Sequence, residues 1–278
     1  MGISSQAAWD AYSKARCLRV SKREAIFMKR VAWLCLAVVM AVMLPACSGK
    51  KGVSTRLYPG IGDDTGRKLV VLLPTIGGEG EDYNAEGFIE EFRARGGGAD
   101  IIALDVAPDL YLGKRIVQVL KTEVITPAKH KGYEAIYLAG TSLGGHGALL
   151  YATEYPKDVN AVVLFAPFVT GYPPTDLVEE PGGLEQWDEN CPFTEWTYAC
   201  NLWKAIKKYG SDPNQRKQIY LAYGTEDGFA KECDILAGFV APKNVYTTSG
   251  GHDWITWAKL WVVMFDDLKG RRSNLRKY

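Results

Sequence analysis

From Lys68 onward, short apolar runs alternate with segments whose apolar residues recur at helical spacing. Lys68-Leu69-Val70-Val71-Leu72-Leu73 reads as a strand buried on both faces, and 100–104, 134–139 and 160–165 repeat the signal. Helical spacing fills the intervals near 84–95, near 113–128 and over 145–155. Two further strand-like runs, Gln218 to Tyr223 and Asn244 to Thr247, precede an amphipathic stretch ending near Leu268. Such alternation predicts an α/β fold, a mostly parallel sheet with helices on both faces. Between Pro167 and Arg216 the alternation breaks into a Pro- and Gly-containing stretch rich in aromatics, which predicts a small cap insertion over about 168–216. Trp187, Phe193, Trp196, Tyr198 and Trp203 either line an apolar substrate pocket beneath that cap or fasten it to the body.

Candidate chemistry centres on Gly140-Thr141-Ser142-Leu143-Gly144, placed after the strand Ala135 to Ala139 and before the helical stretch from His146 to Tyr155. Strand, sharp turn and helix with serine at the apex form a nucleophile elbow, where small neighbours let the two backbones pass closely. The chain has three histidines, so a base is found by elimination. His130 lies in the basic run Lys129-His130-Lys131 and reads as solvated surface. His146 is one helical turn past Ser142, poorly placed to take its proton, and is kept as a pocket-lining candidate. His252 occupies Ser249-Gly250-Gly251-His252-Asp253-Trp254, a loop at a strand's carboxyl end, where reactive groups of parallel sheets gather. The loop after the preceding strand, Gly224-Thr225-Glu226-Asp227-Gly228-Phe229, offers Asp227 as the carboxylate partner, with Glu226 as the alternative.

An acyl-transfer site needs donors for a developing oxyanion. The N–H of Leu143 is one candidate, and the loop Leu73-Pro74-Thr75-Ile76-Gly77-Gly78-Glu79-Gly80 is the candidate source of the second. No Gly-Lys-Ser/Thr ending marks that loop as a phosphate cradle.

The order Ser142, Asp227, His252 and the elbow resemble the α/β-hydrolase superfamily over about Lys68 to Leu268. Ser142-Leu143-Gly144-Gly145-His146-Gly147-Ala148-Leu149 is also similar to the elbow of esterase D type carboxylesterases. The chain departs from that family in carrying Pro74-Thr75 where members commonly have His-Gly ahead of the oxyanion residue, and the resemblance puts Ile76 at the second donor position. The resemblance implies a serine hydrolase acting on small-molecule or lipid-like carboxylic esters through an acyl-enzyme. The same triad would equally serve a peptidase, thioesterase or acyltransferase, and a non-catalytic envelope-binding lipoprotein is the reading from another class.

The amino-terminal segment bears on location. Met28-Lys29-Arg30 precedes the apolar run Val31 to Met43, which ends in Leu44-Pro45-Ala46-Cys47-Ser48. A short basic region, an apolar stretch below membrane-span length and a small residue at the cleavage point resemble a bacterial lipoprotein signal. Cys47 would be the lipidated first residue, by contrast with a plain signal anchor, and Ser48 implies an outer-membrane anchor facing the periplasm. Residues 1–27 then read as an over-extended start, 28–46 as the signal, 47–67 as a tether and 68–278 as the hydrolase domain. In a periplasmic setting Cys191 and Cys200 are candidates for a disulfide, leaving Cys233 unpaired.

Charge changes with that boundary. The full chain carries 33 basic and 32 acidic residues, and removing residues 1–46 takes away seven and two, leaving 26 against 30, a net of −4. Such a balance argues against a nucleic-acid partner, and the membrane contact expected is the amino-terminal lipid anchor. Histidine is scarce and no His-Glu-x-x-His or clustered cysteine pattern occurs, so no metal or other cofactor is expected.

Overall fold

The computed structural model describes residues 53–112, 115–169, 197–216 and 218–275, all within a compact unit spanning 51–278. Cys47, Trp187, Cys191, Phe193 and Trp196 lie outside the described residues. Within them one sheet contains β1 (Val53–Tyr58), β2 (Lys68–Leu73), β3 (Asp100–Val106), β4 (Ala135–Thr141), β5 (Ala161–Phe165), β6 (Ile219–Gly224) and β7 (Val245–Thr248). The spatial order is β1-β3-β2-β4-β5-β6-β7, and every pair is parallel except β1 with β3. Leu69 to Leu73, Leu138, Ala139, Val162, Leu164 and Leu221 are almost wholly buried, as expected for strands covered on both faces.

β1 corrects the expectation of a tether over 47–67. Its six residues pair antiparallel with β3 from Val53 opposite Val106 to Tyr58 opposite Ile101. The signal was weak because the strand is an edge, with Ser54 to Leu57 exposed and polar residues dominating. What fixes it is tertiary: Arg93 donates to the carbonyls of Gly97 and Ala99 at 2.7 Å each, and to Pro59 at 2.9 Å and Tyr58 at 3.3 Å.

Two expected helices are subdivided. The first becomes α1 (Gly80–Ala85) and α2 (Phe88–Ala94), separated at Gly87, whose φ of 79° ends one helix and opens the next. The second becomes α3 (Pro108–Leu112), α4 (Arg115–Val119), a π-helical turn Leu120–Ile125 and α5 (Thr126–His130). Pro127 accounts for the π turn, since its ring would clash with the carbonyl four residues back in a regular α ladder. Asp158 fastens this region through Lys121, Lys129 (2.6 Å) and Tyr151 (2.8 Å). Burial alone would raise its pKa, but those hydrogen bonds outweigh it and hold the carboxyl at about 2.

α6 (Leu143–Glu154) is buried continuously from Leu143 to Ala152, lying on β2, β4 and β5 and against α4 and a later helix, α7 (Thr197–Ser211). α8 (Pro213–Arg216), α9 (Ala230–Ala237) and α10 (Trp254–Leu275) complete the set. α10 packs on β6, β7 and α2. Its Trp261 donates from Nε1 to Phe88 O at 3.0 Å and sits among Phe88, Phe165 and Phe265, with ring centroids 4.6–5.8 Å apart. Pairs of this kind add about 0.5–1.5 kcal/mol each beyond area burial. No described helix is long and apolar enough to cross a membrane.

Candidate active site

Ile76, Ser142, Leu143, Asp227 and His252 follow the carboxyl ends of β2, β4, β6 and β7. Ser142 follows β4 and leads directly into α6, which begins two residues before the helix expected from residue 145. Its backbone has φ 50° and ψ −114°, a conformation rare for a residue with a side chain. Three hydrogen bonds hold it: Ser142 N–H to Phe165 O at 2.8 Å, and the amides of His146 and Phe168 to Ser142 O at 3.0 Å each. The close approach also requires glycine, because a Cβ on Gly144 would run into the carbonyls of Leu73 and Pro74. The strand-to-helix turn therefore presses against the start of the loop after β2.

Asp227 follows β6 and His252 follows β7. Gly224 and Gly250 let these two loops touch, since a Cβ on Gly224 would strike Gly250 O, and Glu226 N–H reaches that same oxygen at 3.0 Å. The Asp227 side chain is fully buried, and both its oxygens face His252 Nδ1, at 2.8 and 3.0 Å. Its Oδ1 also accepts the Phe229 amide at 2.8 Å. A carboxylate can only accept here, so Nδ1 carries the proton and Nε2 is left with the lone pair. Glu226, the alternative, is exposed. Asp253 caps α10 directly after His252, accepting the Thr256 amide at 2.8 Å, which fixes where the loop ends.

Phe229 and Trp257 meet the His252 ring edge-on, each at 4.9 Å, and Phe168 continues the stack beyond Phe229 at 5.5 Å. These aromatics were not singled out from sequence. Phe229 carried a faint signal, two residues past the candidate acid, whereas Phe168 and Trp257 are placed only by the fold. Among the described residues no hydrogen bond joins Ser142 Oγ to His252. In unliganded hydrolases this contact is often long and shortens when substrate binds.

The other histidines fall elsewhere. His130 is exposed. His146 is 2% exposed, its Nδ1–H donates to Phe168 O at 2.7 Å, and burial pushes its pKa down to about 4. Leu143 is the first residue of α6, so its amide has no intrahelical acceptor. Ile76 lies 44% exposed in the turn closed by Gly78 N–H to Thr75 O at 3.1 Å. A cavity of about 380 Å³ lies at the opposite, amino-terminal end of the strands, between the sheet, α2 and α10, and none of the candidate residues lines it. Among the described residues no three His, Cys, Asp or Glu side chains gather as metal ligands.

The fold is similar to that of several solved hydrolases. Est1E from Butyrivibrio proteoclasticus aligns with a TM-score of 0.54 at 16% identity, over 80% of this chain and 95% of its own. A ferulic acid esterase aligns at 0.53 and 15%, over 77% and 90%. The fluorophosphonate-binding serine hydrolase FphF of Staphylococcus aureus aligns at 0.52 and 14%, over 80% and 99%. Together with the sheet order these likenesses define an α/β-hydrolase fold. The Esterase family model matches residues 70–268, and the chain belongs to that family: it is a carboxylic ester hydrolase. No curated protein matches the sequence.

Proposed function

We propose that the chain cleaves carboxylic esters through an acyl-enzyme on Ser142, with His252 as general base and Asp227 as its orienting carboxylate. The observation that carries this is the buried Asp227 carboxylate paired with His252 Nδ1 across the loops after β6 and β7, together with a serine held in an elbow conformation after β4 of the same sheet. His252 Nε2 takes the Ser142 proton as Oγ bonds to the ester carbonyl carbon, and Asp227 stabilises the imidazolium that results. The amides of Leu143 and Ile76 receive the oxyanion. The proton passes from His252 to the departing alkoxide, and water, activated by the same histidine, releases the acid.

The test is labelling of the purified protein by a fluorophosphonate, read by intact mass. A single adduct that needs both Ser142 and His252 is expected, and an adduct surviving Ser142→Ala would sink the assignment. The substrate panel should include a ferulate ester, given the similar ferulic acid esterase, beside short alkyl esters, amides and thioesters. Amide cleavage without ester cleavage would favour a peptidase.

We further propose that Cys47 carries a lipid anchor after removal of residues 28–46, placing the enzyme on the periplasmic face of an outer membrane. The support is the basic, apolar and small-residue sequence of that segment. Metabolic labelling with palmitate that disappears in Cys47→Ala is the expected result.

A further inference from the structure

A single buried side chain meets residues that flank three of the four loops carrying the proposed machinery. Tyr83, on α1, is 0% exposed. Its hydroxyl donates to Leu73 O at 2.7 Å, the last carbonyl of β2 before the loop bearing Ile76. The same oxygen lies 3.3 Å from Thr141 Oγ1, the residue ahead of Ser142, and accepts from that hydroxyl because its own proton is already committed. Its ring meets Trp254, two residues past His252, edge-on at 5.2 Å. Tyr111, 2% exposed, places its hydroxyl 3.5 Å from the neighbouring carbonyl of Pro74.

The scaffold aims Tyr83 rigidly. Gly80, at the start of α1, donates its amide to Asp105 Oδ1 at 2.8 Å, and Glu79 and Asp82 cap the helix reciprocally. Burial raises the phenol pKa well above its usual value, so the hydroxyl stays a donor across the working pH range. Leu73 O and Pro74 O are also the groups against which Gly144 packs. The orientation of these peptides therefore sets the spacing between the Ile76 amide and the Leu143 amide at the head of α6.

From this geometry we infer that Tyr83, through its hydroxyl, is a positioning residue for the oxyanion site, registering the loop after β2 against the Ser142 elbow. The inference rests on the proposed roles of Ser142 and of the Leu143 and Ile76 amides. An oxyanion donor displaced by a fraction of an ångström loses contact with the tetrahedral intermediate more than with the planar ester, so the effect falls on turnover rather than on substrate binding.

Tyr83→Phe keeps the ring and its contacts and removes the oxygen. The measurements are kcat and KM on a short-chain ester, affinity for a trifluoromethyl ketone, and thermal midpoint. The ketone carbon bonds Ser142 Oγ, the serine proton moves to His252, and the ketone oxygen becomes the oxyanion. We expect kcat and ketone affinity to fall together by about 10- to 100-fold, with KM within about 2-fold. A lowered thermal midpoint with kcat and ketone affinity within about 2-fold of the parent would overturn the inference, because a merely structural hydroxyl predicts that result. If Tyr83→Phe does not fold, Thr141→Val decides. A parallel loss of about 3- to 10-fold in both readouts, restored by Thr141→Ser, supports positioning, and unchanged values overturn it. Ser142→Ala separates the two levels. If it keeps turnover and ketone binding, the nucleophile assignment and this inference both fail, whereas an inactive Ser142→Ala beside an unchanged Tyr83→Phe defeats Tyr83 alone.

Discussion

Two histidines follow the elbow serine in the chain, His146 on the helix that it opens and His252 on the loop after β7, and their surroundings differ. His146, one turn along α6, is 2% exposed and spends its Nδ1 proton on the neutral carbonyl of Phe168. A carbonyl orients the ring without compensating a positive charge, so burial dominates and the imidazole stays neutral down to about pH 4. His252 stands on a loop with its side chain 28% exposed, and its Nδ1 faces a carboxylate. In the proposed mechanism that partner fixes the tautomer and stabilises the imidazolium. If His252 is the base, as proposed, nearness to the serine along the chain is a poor guide to it. What matters is the charge of the group facing Nδ1 and whether Nε2 looks toward the space over the nucleophile.

The largest expected effect tests the active side of that comparison. Ser142→Ala and His252→Ala should each reduce kcat on the order of 10⁴- to 10⁶-fold, measured with an activated ester, while the folded state persists. His146→Gln should stay within about 10-fold of the parent, because the buried ring faces a neutral carbonyl rather than a carboxylate. A folded His146→Gln variant as inactive as His252→Ala would break the distinction.

Next in size is the carboxylate. Asp227→Asn should cost about 10³- to 10⁴-fold in kcat, since an amide facing Nδ1 favours the wrong tautomer and leaves the imidazolium uncompensated. Glu226→Gln, one residue earlier but exposed, should change kcat by less than about 2-fold. Steady-state kinetics on the pair reads the difference directly, and the reverse order of damage would move the orienting role to Glu226.

The sequence made some of this plain and left other parts hidden, for physical reasons that differ by element. Strands buried on both faces, such as Leu69 to Leu73, are uniform apolar runs, and six of the seven described strands fall where such runs or their neighbours predict. The elbow was legible because serine among glycines between strand and helix has few other uses. β1 was hidden because an edge strand has no two-sided burial to advertise and owes its place to β3 and Arg93. The split at Gly87 and the π turn before Pro127 were written as single residues inside otherwise helical periodicity. The Asp227 and His252 contact could be expected from loop order, but its geometry depends on Gly224 meeting Gly250. Tyr83 carried no local signal, since a tyrosine on a six-residue helix acquires meaning only from the three loops around it.

The smallest expected effect sharpens the inert side of the comparison and is read in stability. The folded pKa of His146 is about 4, below its ordinary 6.5, so between those values the unfolded chain binds a proton that the folded chain refuses. Stability is then full above about pH 6.5 and declines as the pH falls toward 4, by a total on the order of 3 kcal/mol. Asp158 acts lower on the scale. Its carboxyl is held at about 2 against an ordinary 3.8, so the stability it lends is present above 3.8 and is lost as the pH falls toward 2. The two windows barely overlap and can be separated by urea unfolding midpoints collected from pH 8 to 2.5. His146→Gln, which cannot charge, should flatten the slope between 6.5 and 4 and leave the lower window intact, while Asp158→Asn should do the reverse. An unchanged upper slope in His146→Gln would mean that the buried ring does accept a proton in the folded state, and the contrast with His252 would then rest on Asp227 alone.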